Sequence, residues 1–209
     1  GVLLVVSAPS GAGKTSLVRA LVGNRPGITV SVSHTTRERR PKEIDGKDYH
    51  FVDAAVFRQL IDEGEMLEYA QVFDHFYGTS RAAVLEQLAQ GTDVVLEIDW
   101  QGARQIRERF ADCVSLEILP PSLATLERRL RGRGQDSEAI IERRMRDAVE
   151  EISHFQEFDY LIVNDDFDTA LAELNAIVTA ERARLPVQRV RQRARLKDLL
   201  GDHPSAASI

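Results

Sequence analysis

The sequence is poor in cysteine, in long apolar runs and in clustered histidine, and each shortage excludes a class of protein. One cysteine, Cys113, stands among 209 residues. A single thiol forms no internal disulfide and builds no zinc site. It lies in the apolar run Cys113-Val114-Ser115-Leu116, so it reads as a small core residue in a reducing, cytoplasmic setting. No stretch approaches the roughly 18 uninterrupted apolar residues of a membrane span. The early apolar run at 2–6 is far shorter, and no basic segment precedes it. Neither a membrane helix nor a signal peptide is expected. His34, His50, His75 and His154 are scattered without ligand spacing, and read as structural or exposed. Acidic residues are missing from 182–197, a stretch with seven basic ones, although the whole chain carries a net charge of −6. The remaining body is therefore acidic, which argues against a general nucleic-acid binder.

What is present is a rhythm of short apolar runs and amphipathic stretches. Val2-Leu3-Leu4-Val5-Val6 reads as a buried parallel strand, ended by Pro9 and glycines. A helix with Leu17, Val18 and Leu21 on one face follows and ends near Gly23. The pattern predicts a strand over 28–33 and a polar loop over 34–47, with Pro41 and an Asp45-Gly46 turn. A short strand at 49–52 leads to a helix capped by Asp53 and carrying Val56, Phe57, Leu60 and Ile61. A strand over 66–72 is expected to break at Asp74, His75 and Gly78. From Ser80 the alternation is regular. A helix carries Val84, Leu85 and Leu88, a strand spans 94–98, and a helix follows Trp100. A strand over 114–119 stops at Pro120-Pro121, and Ser122 starts a helix with Leu123, Leu126 and Leu130. Helical spacing runs over 137–155, a strand over 160–163 and a helix over 167–183. This order predicts an α/β fold, a parallel sheet covered by helices on both faces. The segment from 34 to 92 interrupts the rhythm as an inserted mixed α/β lobe.

A strand, then Ala8-Pro9-Ser10-Gly11-Ala12-Gly13-Lys14-Thr15 with Ser16, then a helix, is the P-loop arrangement. Gly11 and Gly13 permit backbone angles that turn consecutive N–H groups inward. Those groups, with the positive end of the following helix, hold phosphate oxygens. Lys14 reaches the β- and γ-phosphates, and the Thr15 hydroxyl binds Mg²⁺. Ala8 stands where the pattern has its first glycine, a departure that negative φ tolerates. The motif specifies a nucleoside triphosphate site and leaves the acceptor undefined.

Downstream, Ser31-Val32-Ser33-His34-Thr35-Thr36-Arg37-Glu38-Arg39-Arg40 leads from a strand into a basic loop. Asp48-Tyr49-His50-Phe51, Gly64-Glu65-Met66-Leu67-Glu68-Tyr69-Ala70-Gln71, Tyr77-Gly78-Thr79-Ser80 and Leu96-Glu97-Ile98-Asp99-Trp100-Gln101-Gly102 follow in that order. Arg37 and Arg40 offer planar forks for phosphate oxygens, and Tyr49 and Tyr77 offer hydroxyl donors. Taken singly, the arginines read as solvated loop charges, the tyrosines as packing residues and Glu68 as an exposed strand residue. Asp99 is less ordinary, because strand ends in open α/β sheets face the ligand crevice. Taken together behind a P-loop, these motifs resemble the guanylate kinase family over about residues 2–183.

The resemblance implies a P-loop nucleoside monophosphate kinase that uses ATP and Mg²⁺ to phosphorylate GMP, and dGMP alongside it, in purine metabolism. It implies that Arg37, Arg40, Tyr49 and Tyr77 hold the GMP phosphate. It makes Glu68 the acceptor for guanine N1–H and the exocyclic amine, with Ser33 and Thr79 at O6 and the base edge. Asp99 matches a position near the base amine and the metal region. Glu97 matches a usually acidic position, where glutamate instead of the shorter aspartate shifts the reach. In the basic stretches 126–134 and 143–146, Arg133 and Arg144 match arginines that close over the transferring group. With Lys14 they form the expected catalytic set. Asn164 matches a position near the adenine pocket, and reads equally as the cap of the last helix.

On this reading 1–32 and 93–183 form the core, 33–92 the GMP-binding lobe, about 122–153 a helical lid, and 184–209 a basic tail beyond the family's usual extent. In the tail Val187, Val190 and Leu196 are too sparse for an apolar stripe, and Pro186 interrupts helix continuation. A solvated helix or packing arm is the plain reading; an acidic partner surface or RNA is the other. Residues from 202 onward are expected to fray. The expected partners are ATP and GMP, with no membrane and no nucleic acid; a homo-oligomer is left open. Two other classes fit part of the pattern. A non-catalytic interaction module of the same fold would have lost the nucleotide residues present here. A kinase for a phosphorylated sugar would have no need of Ser33, Glu68 and Thr79.

Overall fold

The computed structural model describes residues 1–72, 74–132, 137–201 and 203. Its centre is β1 (Leu3–Ser7), whose five residues are all buried because helices cover both faces of the sheet. β1 lies between β7 (Asp93–Glu97) and β8 (Val114–Leu119), parallel to each, with Leu3 opposite Val94 and Leu4 opposite Val114. Outside them run β2 (Ile28–Val30) and β9 (Tyr160–Val163), giving the all-parallel order β2-β7-β1-β8-β9. One face is packed by α1 (Lys14–Gly23) and α7 (Phe167–Ala183), through Leu17, Leu21, Leu174 and Val178 against Leu4, Val6 and Ile118. The other face packs Leu3, Val5 and Leu96 against Ile106 of α4 (Trp100–Arg109) and Val84 of α3 (Arg81–Ala89). Each fully buried leucine of this kind stabilises the fold by roughly 1.5–3 kcal/mol.

A second sheet stands beside the first, in the order β4-β3-β6-β5. Its strands are β3 (His34–Thr35), β4 (His50–Phe51), β5 (Met66–Val72) and β6 (His75–Ser80). β3 and β4 are parallel; the other pairs are antiparallel. Two expectations are corrected here. The strand predicted over 28–33 ends at Val30, and the polar stretch from His34 begins the new sheet. Threonine hydroxyls make that possible. Thr35 Oγ1 donates to Phe76 O at 3.0 Å, and Thr36 Oγ1 accepts from Phe76 N at 2.9 Å. The predicted break at 74–78 is the start of a strand, β6, which pairs with β5 from Val72 opposite His75 back to Met66 opposite Ser80.

The cap expected at Asp53 is present, and Ser80 and Asp99 act likewise. Asp53 accepts from Ala55 and Val56 at the start of α2 (Ala54–Asp62), Ser80 from Ala83 and Asp99 from Gly102. Each satisfies an orphan N–H of its helix. The predicted stripe of α2 is narrower than expected: Phe57 is buried and Val56 is exposed. Cys113 is half-buried against the Leu3–Val5 side of the core, where burial raises its thiol pKa. α5 (Leu123–Gly132) and α6 (Glu138–Ser153) share a small core of Leu126, Leu130, Ile141 and Ala148.

The tail forms two helices, α8 (Leu185–Arg191) and α9 (Arg193–Leu200). Pro186 ends α7 by opening α8, where a first-turn proline has no N–H to lose. Arg182 and Arg191 each reach the fully buried Asp93 carboxylate at 2.5 Å, which also accepts from Val2 N at 2.7 Å. Two of the basic residues are thus committed to the protein itself, as in a packing arm. Of the end expected to fray, 202 and 204–209 lie outside the described residues. No helix among the described residues is long and apolar enough to cross a membrane.

Candidate functional site

The carboxyl ends of β1 and β7, the loop after β1, and the lobe sheet enclose a cavity of about 570 Å³. The loop is shaped by its own backbone. Ala12 N donates to Pro9 O at 3.0 Å, and Gly11 and Gly13 sit at φ 99° and 103°. Gly13 has a second reason to be glycine: a Cβ there would lie 2.2 Å from Asn164 Nδ2. Ala8, Pro9, Ser10, Gly11, Gly13, Lys14, Thr15 and Ser16 line the cavity, and Ala12 is buried behind them. Lys14 Nζ donates to Ile98 O at 2.9 Å, and Thr15 Oγ1 donates to Glu97 Oε2 at 2.9 Å.

Across the cavity stand Ser33, Tyr49, Glu68 and Tyr77 of the lobe, with Glu97 and Asp99 below them. Glu68 is 2% exposed, and burial, helped by the Asp99 charge, pushes its pKa to about 7 against Thr79, Lys14 and Arg109. Thr79, also buried, donates to Glu68 Oε1 at 2.6 Å and lies 3.5 Å from the Ser33 hydroxyl. It touches the cavity through Glu68, without lining it. Asp99 caps α4 through Gly102 N at 2.9 Å, and burial raises its pKa. Glu97 meets Thr15, on the phosphate-loop side of the cavity.

Of the remaining expected residues, four stand away from the cavity wall or lie beyond description, and one lines it. Arg37 grips Glu43 with both arms, at 3.0 and 2.8 Å, beside the rings of Tyr49 and Phe51. That grip holds the Glu43 carboxyl below its ordinary range, against partial burial. Arg40 is exposed, and its backbone N–H also donates to Glu43, at 2.8 Å. Asn164 is buried under the loop, where Nδ2 donates to Ala12 O at 2.6 Å. The alternative reading of Asn164 as a helix cap is corrected, since Asp166 caps α7 through Thr169 N. Arg144 of α6 lines the cavity. Arg133 lies outside the described residues.

The sequence reading missed two carboxylates. Glu151 of α6 lines the cavity, and burial raises its pKa to about 8; the charges of Glu117, Asp99 and Asp147 add to the rise and Lys14 opposes it. Glu117, opposite Ser7 on the neighbouring strand, is wholly buried with neither oxygen in hydrogen-bonding geometry. Burial raises it to about 7, against the Ser7 hydroxyl and Lys14. Lys14 therefore stands in the field of Glu68, Asp99, Glu117 and Glu151. A charge inside the apolar run Val114-Ser115-Leu116-Glu117-Ile118-Leu119 was the signal for Glu117. Among the described residues no group of His, Cys, Asp and Glu side chains has the arrangement of a protein-only metal site.

The chain matches the family model described as Guanylate kinase over residues 1–181. It is 58% identical over 202 residues to the guanylate kinase of Nitrosococcus oceani, covering 97% of this chain and 98% of that protein. The guanylate kinase of Escherichia coli (strain K12) is 54% identical, with 97% of this chain and 99% of that protein covered. The crystal structure of guanylate kinase from Anaplasma phagocytophilum superposes with a TM-score of 0.76 at 36% identity, over 97% of this chain and 95% of that one.

Proposed function

The chain belongs to the guanylate kinase family and is an ATP-dependent GMP kinase; we propose that the residues described above carry out that reaction as follows, on dGMP as well as GMP. The observation that carries the assignment is the buried Glu68 carboxylate facing the same cavity as the Lys14 loop. Glu68 accepts from guanine N1–H and the exocyclic amine, a donor pair that adenine does not present. Thr79 holds Glu68 Oε1, and Ser33 reaches the base edge. Guanine donors favour the ionised carboxylate, so GMP draws the Glu68 pKa back down. Tyr49, Tyr77, Arg37 and the exposed Arg40 gather the GMP phosphate, with Glu43 steadying Arg37.

The loop from Ala8 to Ser16 cradles the ATP phosphates, and Lys14 leaves Ile98 O to meet them. Thr15 and Glu97 present hard oxygens side by side, which suits Mg²⁺. Bound there, Mg²⁺ would neutralise phosphate charge. A GMP phosphate oxygen attacks the γ-phosphorus, the bond to the β,γ-bridging oxygen breaks, and ADP leaves with that electron pair. The acceptor oxygen is already ionised, so no general base is needed. Arg144 and Arg133 close over the transferring group and shield it from water. Residues 33–92 act as the GMP lobe and about 122–153 as the lid. A reducing, cytoplasmic setting fits the lone half-buried thiol.

The test is ADP formation from ATP and Mg²⁺ with GMP, dGMP, AMP, CMP, UMP or ribose 1,5-bisphosphate. GMP and dGMP should exceed the other acceptors by on the order of 10⁴-fold in kcat/KM, as expected of a site built to hydrogen-bond its substrate. Comparable use of AMP would remove Glu68 from the base site. No turnover with any acceptor in folded protein would make the chain an interaction module.

A further inference from the structure

β5 is an edge strand. β6 pairs with one side of it, and the backbone groups of Leu67 and Tyr69 point to the other. An uncovered edge leaves such groups unpaired and the strand free to shift. Here the core helix α4 covers it. Tyr69 N donates to Gln105 Oε1 at 3.2 Å, and Gln105 Nε2 donates to Tyr69 O at 2.6 Å. Arg109 Nη1 donates to Leu67 O at 2.5 Å. A glutamine amide offers one donor and one acceptor, as a peptide unit does. Gln105 therefore supplies one rung of a missing strand, and Arg109 supplies half of another.

The two rungs flank Glu68. The same helix meets Glu68 itself, because Glu68 Oε2 lies 2.6 Å from where a Cβ on Gly102 would stand. Gly102, Gln105 and Arg109 fall at i, i+3 and i+7, along one face of α4. That face begins at Asp99, the helix cap and a cavity wall. The bulge between Met66 and Glu68 makes the need for such support concrete, since the ladder to β6 is irregular there.

We infer that Gln105, with Arg109, is a positioning residue for guanine selection: it fastens the edge strand of the lobe to α4 so that the Glu68 carboxylate stands over Gly102. This rests on the reading of Glu68 as the base acceptor. Gln105 touches no substrate. Its removal frees the strand, lets the carboxylate drift, and weakens the grip on the guanine amine. ATP binding, which uses the phosphate loop, is left intact.

The experiment compares wild type, Gln105→Met and Glu68→Gln in kcat and KM for GMP and for IMP, which lacks the exocyclic amine, and in KM for ATP. Gln105→Met keeps side-chain length and loses both bonds. It should raise KM for GMP about 10-fold, the equivalent of two ordinary hydrogen bonds, and shrink the GMP-to-IMP preference by a similar factor. Its kcat and KM for ATP should stay within about 2-fold of wild type. Should Gln105→Met lose its fold, Gln105→Glu serves instead, setting a carboxylate oxygen against Tyr69 O with the same kinetic pattern expected. An unchanged preference in the Gln105 variant, with a reduced one in Glu68→Gln, overturns the positioning role. An equal loss in kcat and in KM for both nucleotides also overturns it, as a general structural defect. An unchanged preference in Glu68→Gln overturns the base-site reading itself.

Discussion

Replacing Glu117 by glutamine should stabilise the folded protein at alkaline pH and change it little at acidic pH. Glu117 sits inside β8 beside the Ser7 hydroxyl, with neither carboxylate oxygen in good hydrogen-bonding geometry. Burial lifts its pKa from the ordinary 4.5 to about 7. Between those values the folded protein keeps a proton that the unfolded chain has released, so stability falls as pH rises through the window. Above it the carboxylate is ionised in both states, and the full cost of burying the charge is present. At about 1.4 kcal/mol per pH unit, the cost comes to about 3 kcal/mol. Glutamine has nearly the same shape and no charge. The variant should therefore match wild type near about pH 4 and exceed it by up to about 3 kcal/mol near about pH 8.5. Glu151 titrates in both proteins, so its own contribution largely cancels in the difference. Urea unfolding of the nucleotide-free protein, followed by far-UV circular dichroism at both pH values, reads this directly. A stability difference that stays constant with pH would refute the claim that Glu117 is folded as a neutral acid.

Two further outcomes follow from the site. Asn164→Ala removes the bond to Ala12 O and leaves that carbonyl only the longer contact from Arg129 Nη1 at 3.4 Å, at a cost of about 1 kcal/mol. KM for ATP should rise while KM for GMP holds; an equal rise in both would contradict a role confined to the phosphate loop. Arg144→Ala removes a cation from the cavity wall, and should lower kcat by about 10²-fold while GMP affinity, measured calorimetrically, changes little. Lost GMP affinity at normal kcat would take Arg144 out of the lid.

Much of the core was legible because its signals are local. The phosphate loop declares itself through two glycines whose φ values no other residue adopts readily, and α7 appears with the bounds its periodicity indicates. β3 was hidden because hydroxyls of Thr35 and Thr36, rather than an apolar pattern, fasten it to Phe76. The start of α8 was hidden because Pro186 breaks one helix by starting another. At the site, the phosphate-loop and lobe residues that line the cavity were read through their order along the chain, whereas Glu151, which also lines it, was not. Nor were the residues that hold them. Glu43 under Arg37, Gln105 on Tyr69 and Glu151 beside Lys14 are ordinary surface residue types in ordinary sequence surroundings. Only the packing of α4, α6 and the lobe against the sheet gives them work. Glu117 is the exception, since a carboxylate in an apolar strand is visible without a fold.

The Asp93 carboxylate bears on how the chain assembles. It is buried at the start of a strand beside the middle of the sheet, and its counter-charges come from Arg182 and Arg191, about ninety residues later. The central strand β1 likewise waits for β7 and β8 before either of its edges is paired. A nascent chain that has emerged only as far as β9 holds nearly every element of the sheet, yet Asp93 has no cation to meet. The last helices thus act as a completion signal. The charge balance around Asp93 is complete only with nearly the whole chain, and a chain cut short before α7, which carries Arg182, has its defect in the middle of the molecule rather than at the cut.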